Sequence, residues 1–460
     1  MPHQVGAYDC ERLASRGASS SELVERDTIN GTDSSFVMRN LRSRALCLVL
    51  FLLFSFVATV SRTLAATAAP VPFIRRLDDT ITVHGAPIKL RGVNLGGMFL
   101  WEPWIWGANL FPMVSESEMF GRLQSLVGVA PAQRFRHSIY ENYVTEPDIR
   151  RISELGFNVV RVPINYRLLE NDANPYVYEN ESWQDLDNLI NLCEKHHVYV
   201  VIDLHAAAGG QSRLFTADPN PKRFLWRDEE NKKRTVALWA AIAGRYKNRT
   251  IVAGYDLLNE PNPVRAADAV DLYRDIIKAI REVDKNHMLI VEGTSLATKF
   301  DAFDELPDEN MIFSFHAYSF SLFGDPASEM RKKVAAAQEE GRRFHVPVWC
   351  GEFGENTLSN VVGSAQSLNE AGSDVCGWCL WTWKQAPVKG IYGRMDRTPM
   401  ILQLPSGWLP LMKWCVTPHL AKRPAAADAQ TAMDAFAQCV KFANNKQDGE
   451  LMAELSKLVK

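Results

Sequence analysis

Ile251-Val252-Ala253-Gly254-Tyr255-Asp256-Leu257-Leu258-Asn259-Glu260-Pro261 runs from a β-branched, apolar start into Asn-Glu-Pro. An apolar run of this length reads as a buried strand, and Pro261 ends it. The stretch therefore carries one carboxyl group, Glu260, to a strand end. Val346-Pro347-Val348-Trp349-Cys350-Gly351-Glu352-Phe353-Gly354 does the same for Glu352.

Outward from these two, the same pattern recurs. Eight runs are strand candidates, at 89–94, 158–163, 198–204, 251–258, 288–291, 311–315, 346–350 and 377–381. Amphipathic stretches separate them. Tyr273, Ile276, Ile277 and Ile280 fall at i, i+3, i+4, i+7 and give one apolar helix face. Helices of the same kind are expected at 183–195, 235–247, 326–340 and 361–370, with a weakly helical link between the fifth and sixth runs. Strands alternating with helices imply parallel pairing through crossovers. Eight units over about 350 residues fit an α/β fold of the (β/α)8 TIM-barrel type. A doubly wound open sheet is the rival, but no glycine-rich phosphate turn follows the first run. Residues 81–89 read as a hairpin closing the barrel bottom. The barrel is expected over 70–420, with a helical extension over 421–460 and no second core-sized domain.

A barrel of this type gathers its site at the C-terminal strand ends. Arg91, Asn94, Arg161, His205, Asn259, Glu260, His316, Tyr318, Glu352 and Trp381 should therefore face one cleft. Two acids there suit cleavage of a glycosidic bond. One protonates the leaving oxygen, and the other attacks or activates water at the anomeric carbon. Their environments must differ, because the acid must keep a proton and the other must stay ionised. Arg161 is the candidate cationic neighbour of the ionised carboxylate. Asn259 suits a hydrogen bond to a sugar hydroxyl beside the scissile bond. His205 and His316 read as substrate hydrogen-bonding groups, and Tyr318 as a partner that orients the nucleophile. Asp203, His205 and His316 could alternatively hold a metal, but the first run offers no ligand of that kind. Trp381 is expected to floor a sugar site, with Trp101, Trp104 and Trp106 as walls.

Composition agrees with a carbohydrate enzyme and excludes a nucleic-acid binder. The 460 residues are 47% hydrophobic and 23% charged, with a net charge of −3, which gives no electrostatic attraction for phosphate backbones. The 12 Trp suit the C–H faces of sugar rings, although most should fill the core.

Residues 1–37 are polar and expected to be disordered. Arg39, Arg42 and Arg44 then precede an apolar run, 45–60, and the small residues of 64–70. Residues 38–69 read as a secretory signal. Either translation begins at Met38 and the segment is cleaved, or it remains as a membrane anchor with the catalytic domain outside. The run is short beside the ~20 residues of a full span. Both readings send the barrel into the secretory pathway. Six of the eight Cys lie beyond this segment, which permits disulfides without showing them. Cys376-x-x-Cys379 reads as two small buried strand residues. Asn180-Glu181-Ser182 and Asn248-Arg249-Thr250 match the N-glycosylation pattern. Oligomeric state is not legible.

The ordered motifs together resemble glycoside hydrolase family 5, the cellulase family, over about residues 75–420. Leu257-Leu258-Asn259-Glu260-Pro261 matches the family's acid/base signature, and Gly351-Glu352-Phe353-Gly354 its nucleophile signature. Arg161, His205, Asn259, His316, Tyr318 and Trp381 fall on its remaining active-site positions. The resemblance implies Glu260 as acid/base, Glu352 as nucleophile, a retaining double displacement, no cofactor, and carboxyl groups ~5 Å apart. Leu90-Arg91-Gly92-Val93-Asn94-Leu95-Gly96-Gly97 and Trp101-Glu102-Pro103-Trp104-Ile105 look like the exo-1,3-β-glucanase branch. There, Glu102 would contact the terminal glucose. Met98, Ala206, Ala208 and the long loop 108–121 depart from that branch. The expected substrate is a β-linked glucan or glucoside. Endo-acting cellulases and glycolipid-cleaving relatives share the core, and a non-catalytic carbohydrate-binding barrel is the contrasting class.

Overall fold

The computed structural model describes residues 72–108, 113–318, 325–387 and 397–460. The expected disordered tail and the 38–69 targeting segment lie outside the described residues. Arg75–Leu77 (β1), Thr80–Val83 (β2) and Ala86–Pro87 (β3) form a small antiparallel sheet. Ile74, just before it, and Ile81 from it join Leu90, Val159, Val201, Ile290, Ile312 and Trp349 in one buried cluster. The hairpin thus plugs the barrel bottom, as its sequence suggests.

The eight runs become Leu90–Asn94 (β4), Val159–Asn165 (β5), Tyr199–Ala206 (β6), Val252–Asp256 (β7), Met288–Glu292 (β8), Met311–Tyr318 (β9), Val348–Gly354 (β10) and Val375–Leu380 (β11). They are parallel and close in the order β10-β11-β4-β5-β6-β7-β8-β9. At the closing seam Gly377 pairs with Leu90. Gly377 has φ +135°, and a Cβ there would lie 1.9 Å from the Leu90 carbonyl oxygen. Only glycine lets β11 approach β4 this closely.

Side chains alternate along a strand, so Met288 and Ile290 fill the barrel interior and Glu292 caps the same face. Register aligns Asn94 with Arg161, Asp203 with Asp256, Glu292 with Ser314, and His316 with Glu352. A polar layer therefore lies at the C-terminal strand ends above an apolar one. Leu90 and Asn94 face inward, so Arg91, one residue from Leu90, lies on the opposite face. It sits beside Lys89, half-buried, and does not join the site.

Helices pack outside. The β4–β5 link holds Glu116–Val127 (α1), Val129–Asn142 (α2) and Glu146–Glu154 (α3). The end of the expected 108–121 loop is thus helical, because Ser115 and Glu118 form a reciprocal capping box. Asn180–Lys195 (α4), Glu229–Tyr246 (α5), Ala266–Val283 (α6), Pro326–Phe344 (α7) and Leu358–Glu370 (α8) follow. The face Tyr273, Ile276, Ile277, Ile280 of α6 is buried. The weakly helical β8–β9 link instead carries left-handed residues at Ser295, Leu296 and Ala297.

Trp408–Val416 (α9), Ala426–Cys439 (α10) and Gly449–Val459 (α11) complete the chain. Trp408 and Phe436 stack with centroids 3.7 Å apart. Lys384–Gln385 (β12), Met400–Ile401 (β13) and Lys446–Gln447 (β14) form a second small sheet. Buried Lys384 pairs with Asp148 at 2.8 Å, and its Nζ donates to the Val440 carbonyl at 2.9 Å. Arg397 donates to Asp448 Oδ1 at 2.9 Å. The extension is thereby tied to the segment that follows β11. Cys193, Cys350, Cys376, Cys379, Cys415 and Cys439 are free and buried. Cys376 and Cys379 lie in the barrel interior.

Candidate active site

Arg161, on β5, is the hub. It is fully buried, and a buried charge is tolerated only when paired and hydrogen-bonded. Its Nε donates to Asp256 Oδ2 at 2.8 Å. One terminal nitrogen donates to Asn94 Oδ1 at 3.2 Å and Glu352 Oε1 at 2.7 Å. The other donates to Asn259 Oδ1 at 3.0 Å and Glu292 Oε1 at 2.8 Å, and lies 3.1 Å from Asp203 Oδ2. The planar fork thus fixes side chains from several strands relative to one another.

Glu352 has a second support. The Tyr318 hydroxyl donates to its Oε2 at 2.7 Å. Gly351 beside it makes room, since a Cβ there would lie 2.5 Å from Ser314 Oγ. Glu260 approaches from β7's loop. His316 Nδ1 stands 2.9 Å from Glu260 Oε1 and 3.6 Å from Glu352 Oε2. Oxygens of the two carboxylates lie within 4.8 Å of one another. Glu260 has a left-handed φ of +46°, an uncommon conformation for a non-glycine residue. Its backbone N–H donates to Glu292 Oε2 at 2.6 Å.

Burial pushes the His316 ring down, but Glu292, Glu352 and Glu260 around it outweigh burial and hold it well above the ordinary histidine value. Burial likewise pushes Glu260 up, and the His316 hydrogen bond and charge hold it below the ordinary range. Burial pushes Asp256 up to about 7 and raises Asp203 well above its usual value. Their second oxygens have no hydrogen-bond partner, so nothing there offsets the cost of burying them charged.

His205 is neutral, pushed down to about 3 by burial. Its Nδ1 is 2.7 Å from Asp203 Oδ2, and its Nε2 is 3.2 Å from Asn259 Nδ2. Arg161 holds Asn259 by Oδ1, so the amide nitrogen faces His205 and the ring proton lies on Nδ1. Trp381 stacks on His205, with centroids 5.4 Å apart and planes at 24°. Glu102 adjoins them, its Oε1 3.8 Å from His205 Nε2. Trp104 donates to Glu102 Oε2 at 2.5 Å, while Oε1 has no partner. Burial, opposed by that Trp104 bond, raises the Glu102 carboxyl to about 8. Trp101 and Trp106 do not wall the site. They are buried against Phe135, and only Trp104 reaches it.

The structure brings Glu102, Arg161, His205, Asn259, Glu260, His316, Tyr318, Glu352 and Trp381 to one place. It adds Asp256 and Glu292, which sequence reading passed over. Asp256 lies inside an apolar run, and Glu292 stands one residue past another. The period-two series Met288, Ile290, Glu292 is the signal available. Among the described residues, the groupings close enough to share one ion are Glu260–His316–Glu352 and Asp203–Asp256–Glu292. The alternative set Asp203, His205 and His316 is not one of them.

The sequence pattern described as Cellulase (glycosyl hydrolase family 5) matches residues 127–387. A beta-xylosidase of Phanerodontia chrysosporium is 30% identical over 344 residues, covering 68% of this chain and 71% of its own. Probable glucan 1,3-beta-glucosidase A of Emericella nidulans is 26% identical, covering 66% and 87%. The crystal structure of rutinosidase from Aspergillus niger has the same fold, with a TM-score of 0.54 at 18% identity over 65% of this chain and 90% of that one. Sequence pattern, relatives and closed parallel barrel agree, and the chain belongs to glycosyl hydrolase family 5, a family of O-glycosyl hydrolases.

Proposed function

We propose that this enzyme cleaves β-linked glucans or β-glucosides with retention of configuration, with Glu352 as nucleophile and Glu260 as acid/base. The spacing carries the reading. Carboxylate oxygens within 4.8 Å match the ~5 Å of retaining enzymes, whereas inverting pairs stand ~6.5–9.5 Å apart to admit a water.

The surroundings divide the roles. Arg161 and Tyr318 each donate to a different oxygen of Glu352 and fix the carboxyl in place for attack on C1. Glu260 and His316 share one proton across 2.9 Å, and it rests on Nδ1 in the free site. A bound glycan excludes water, which disfavours the separated charges. The proton then crosses to Glu260 and on to the leaving oxygen as Glu352 bonds to C1. In the second half, Glu260 takes a proton from water while the hydroxide displaces Glu352. The uncharged His205 and the Trp381 face form a flat wall for the sugar. Glu102 Oε1, buried without a partner, suits a hydroxyl of a terminal glucose, which favours exo action. The secretory route through residues 38–69, by signal or anchor, belongs to the same reading. No helix among the described residues is long and apolar enough to cross a membrane.

Product analysis tests it. Incubation of the enzyme with 1,3-, 1,4- and 1,6-linked β-glucans, followed by NMR at early times, should show β-glucose first. An α-anomer first would overturn retention. Mixed oligomers would replace exo action by an endo-acting groove, and no turnover of an activated β-glucoside would point to a binding barrel. The N-terminal residue of exported protein reports whether the segment is cleaved.

A further inference from the structure

Glu292 lies at the end of β8, fully buried, and nothing in the double displacement just described requires it. Two of its contacts lead toward Glu260. Oε2 accepts the Glu260 backbone N–H at 2.6 Å. Oε1 lies 3.2 Å from His316 Nε2 and accepts from Arg161 at 2.8 Å. His316 Nδ1 in turn meets Glu260 Oε1. The Tyr273 hydroxyl donates to the Glu292 backbone carbonyl at 3.0 Å, which anchors the strand end itself.

We propose that Glu292 is a positioning residue for the acid/base: one buried carboxylate grips Glu260 at both ends, by its backbone directly and by its carboxyl through His316. This rests on Glu260 being the acid/base. Two effects follow. The backbone grip stabilises the left-handed φ of Glu260, which is sterically unfavourable for a residue bearing a Cβ. The ring grip is one of charge: the Glu292 carboxylate lies 3.2 Å from His316 Nε2, out of line for a hydrogen bond, and favours the proton on that nitrogen. When His316 is neutral, Nδ1 is then the lone pair that accepts from a protonated Glu260. Without Glu292 the ring is free to carry its proton on Nδ1, and Glu260 has no proton to give. A tautomer set by the partner of the far nitrogen is a general property of imidazole.

The test compares kcat/KM for Glu292→Gln on two β-glucosides, one with an alkyl leaving group and one with a dinitrophenolate. The alkyl substrate needs protonation in the first step, and the dinitrophenyl substrate does not. The glutamine can accept the Glu260 N–H, but it loses the charge that holds Nε2–H. The expected result is a fall of about 10- to 100-fold on the alkyl glucoside and a several-fold smaller fall on the dinitrophenyl one. Equal losses on both, or no loss on the alkyl glucoside, would overturn the proposal. A structural defect alone lowers both in proportion to the folded fraction. If the glutamine variant aggregates, Glu292→Asp, which keeps the charge but withdraws it, is read by the same ratio. Failure of the catalytic reading itself is separate: the wild type would then turn over neither glucoside.

Discussion

The Tyr318 hydroxyl donates to Glu352 Oε2 at 2.7 Å, on the oxygen that Arg161 leaves free. A hydrogen bond to a charged group contributes about 1.5–3 kcal/mol. Tyr318→Phe should therefore lower kcat/KM by roughly 10- to 100-fold and lower the thermal midpoint by about a few degrees. Unchanged kinetics would remove Tyr318 from the support of Glu352.

Glu260→Ala deletes the proposed proton donor but leaves Arg161, Tyr318 and Glu352 in place. Loss of kcat/KM should reach about 10²- to 10⁴-fold on natural glycans and be much smaller on glucosides with good leaving groups. A leaving-group series gives the slope, and a flat series would assign Glu260 another role.

Arg161 faces four carboxyl groups, those of Asp203, Asp256, Glu292 and Glu352, in a buried site. Lysine supplies one point charge in place of a planar fork. Arg161→Lys should lower unfolding stability by about 3–5 kcal/mol and depress kcat more than it raises KM. Chemical denaturation with steady-state kinetics reads both. A variant with wild-type stability would argue that the carboxyls are neutral without Arg161.

Glu102 holds its proton to about pH 8 and Asp256 to about 7, both chiefly through burial. Unfolded, such groups titrate near ~4. Between those values the native state binds more protons than the unfolded chain, so stability falls as pH rises from about 4.5 to 8. Glu102→Gln keeps an acceptor for Trp104 and cannot ionise. Its loss of stability from pH 5 to 8 should be smaller by on the order of a few kcal/mol. Parallel denaturation curves at pH 5, 6.5 and 8 decide; equal slopes would show that Glu102 ionises freely.

The grouping Asp203–Asp256–Glu292 encloses the Arg161 guanidinium, which already supplies the positive charge there. Turnover is expected to be indifferent to chelators. Activity lost in chelator and restored by a divalent ion would contradict this.

The barrel was legible because its strands are apolar runs of fixed spacing, and Glu260 and Glu352 because each ends a run inside a distinctive motif. Arg161, His205, Asn259, His316, Tyr318 and Trp381 followed from the rule that strand ends converge. Arg91 misled because it belongs to the same run as Asn94 yet alternates to the other face. Asp256 and Glu292 escaped notice because an acid beside apolar residues carries no local sign of its partner, and Arg161 lies 95 and 131 residues away from them. Trp101 and Trp106 show the converse: aromatic content marks a site only once burial has separated wall from filler.

The clasp from Lys384 to Val440, and from Arg397 to Asp448, bears on how the enzyme comes to life. Trp381 sits just before Lys384, whose carbonyl partner lies 56 residues further along the chain. During synthesis the barrel strands can all have left the ribosome while this knot is still untied. A chain truncated just past α9 would keep Lys384 but lose Val440 and Asp448, leaving the segment after Trp381 without this tether, however complete the cylinder beneath it.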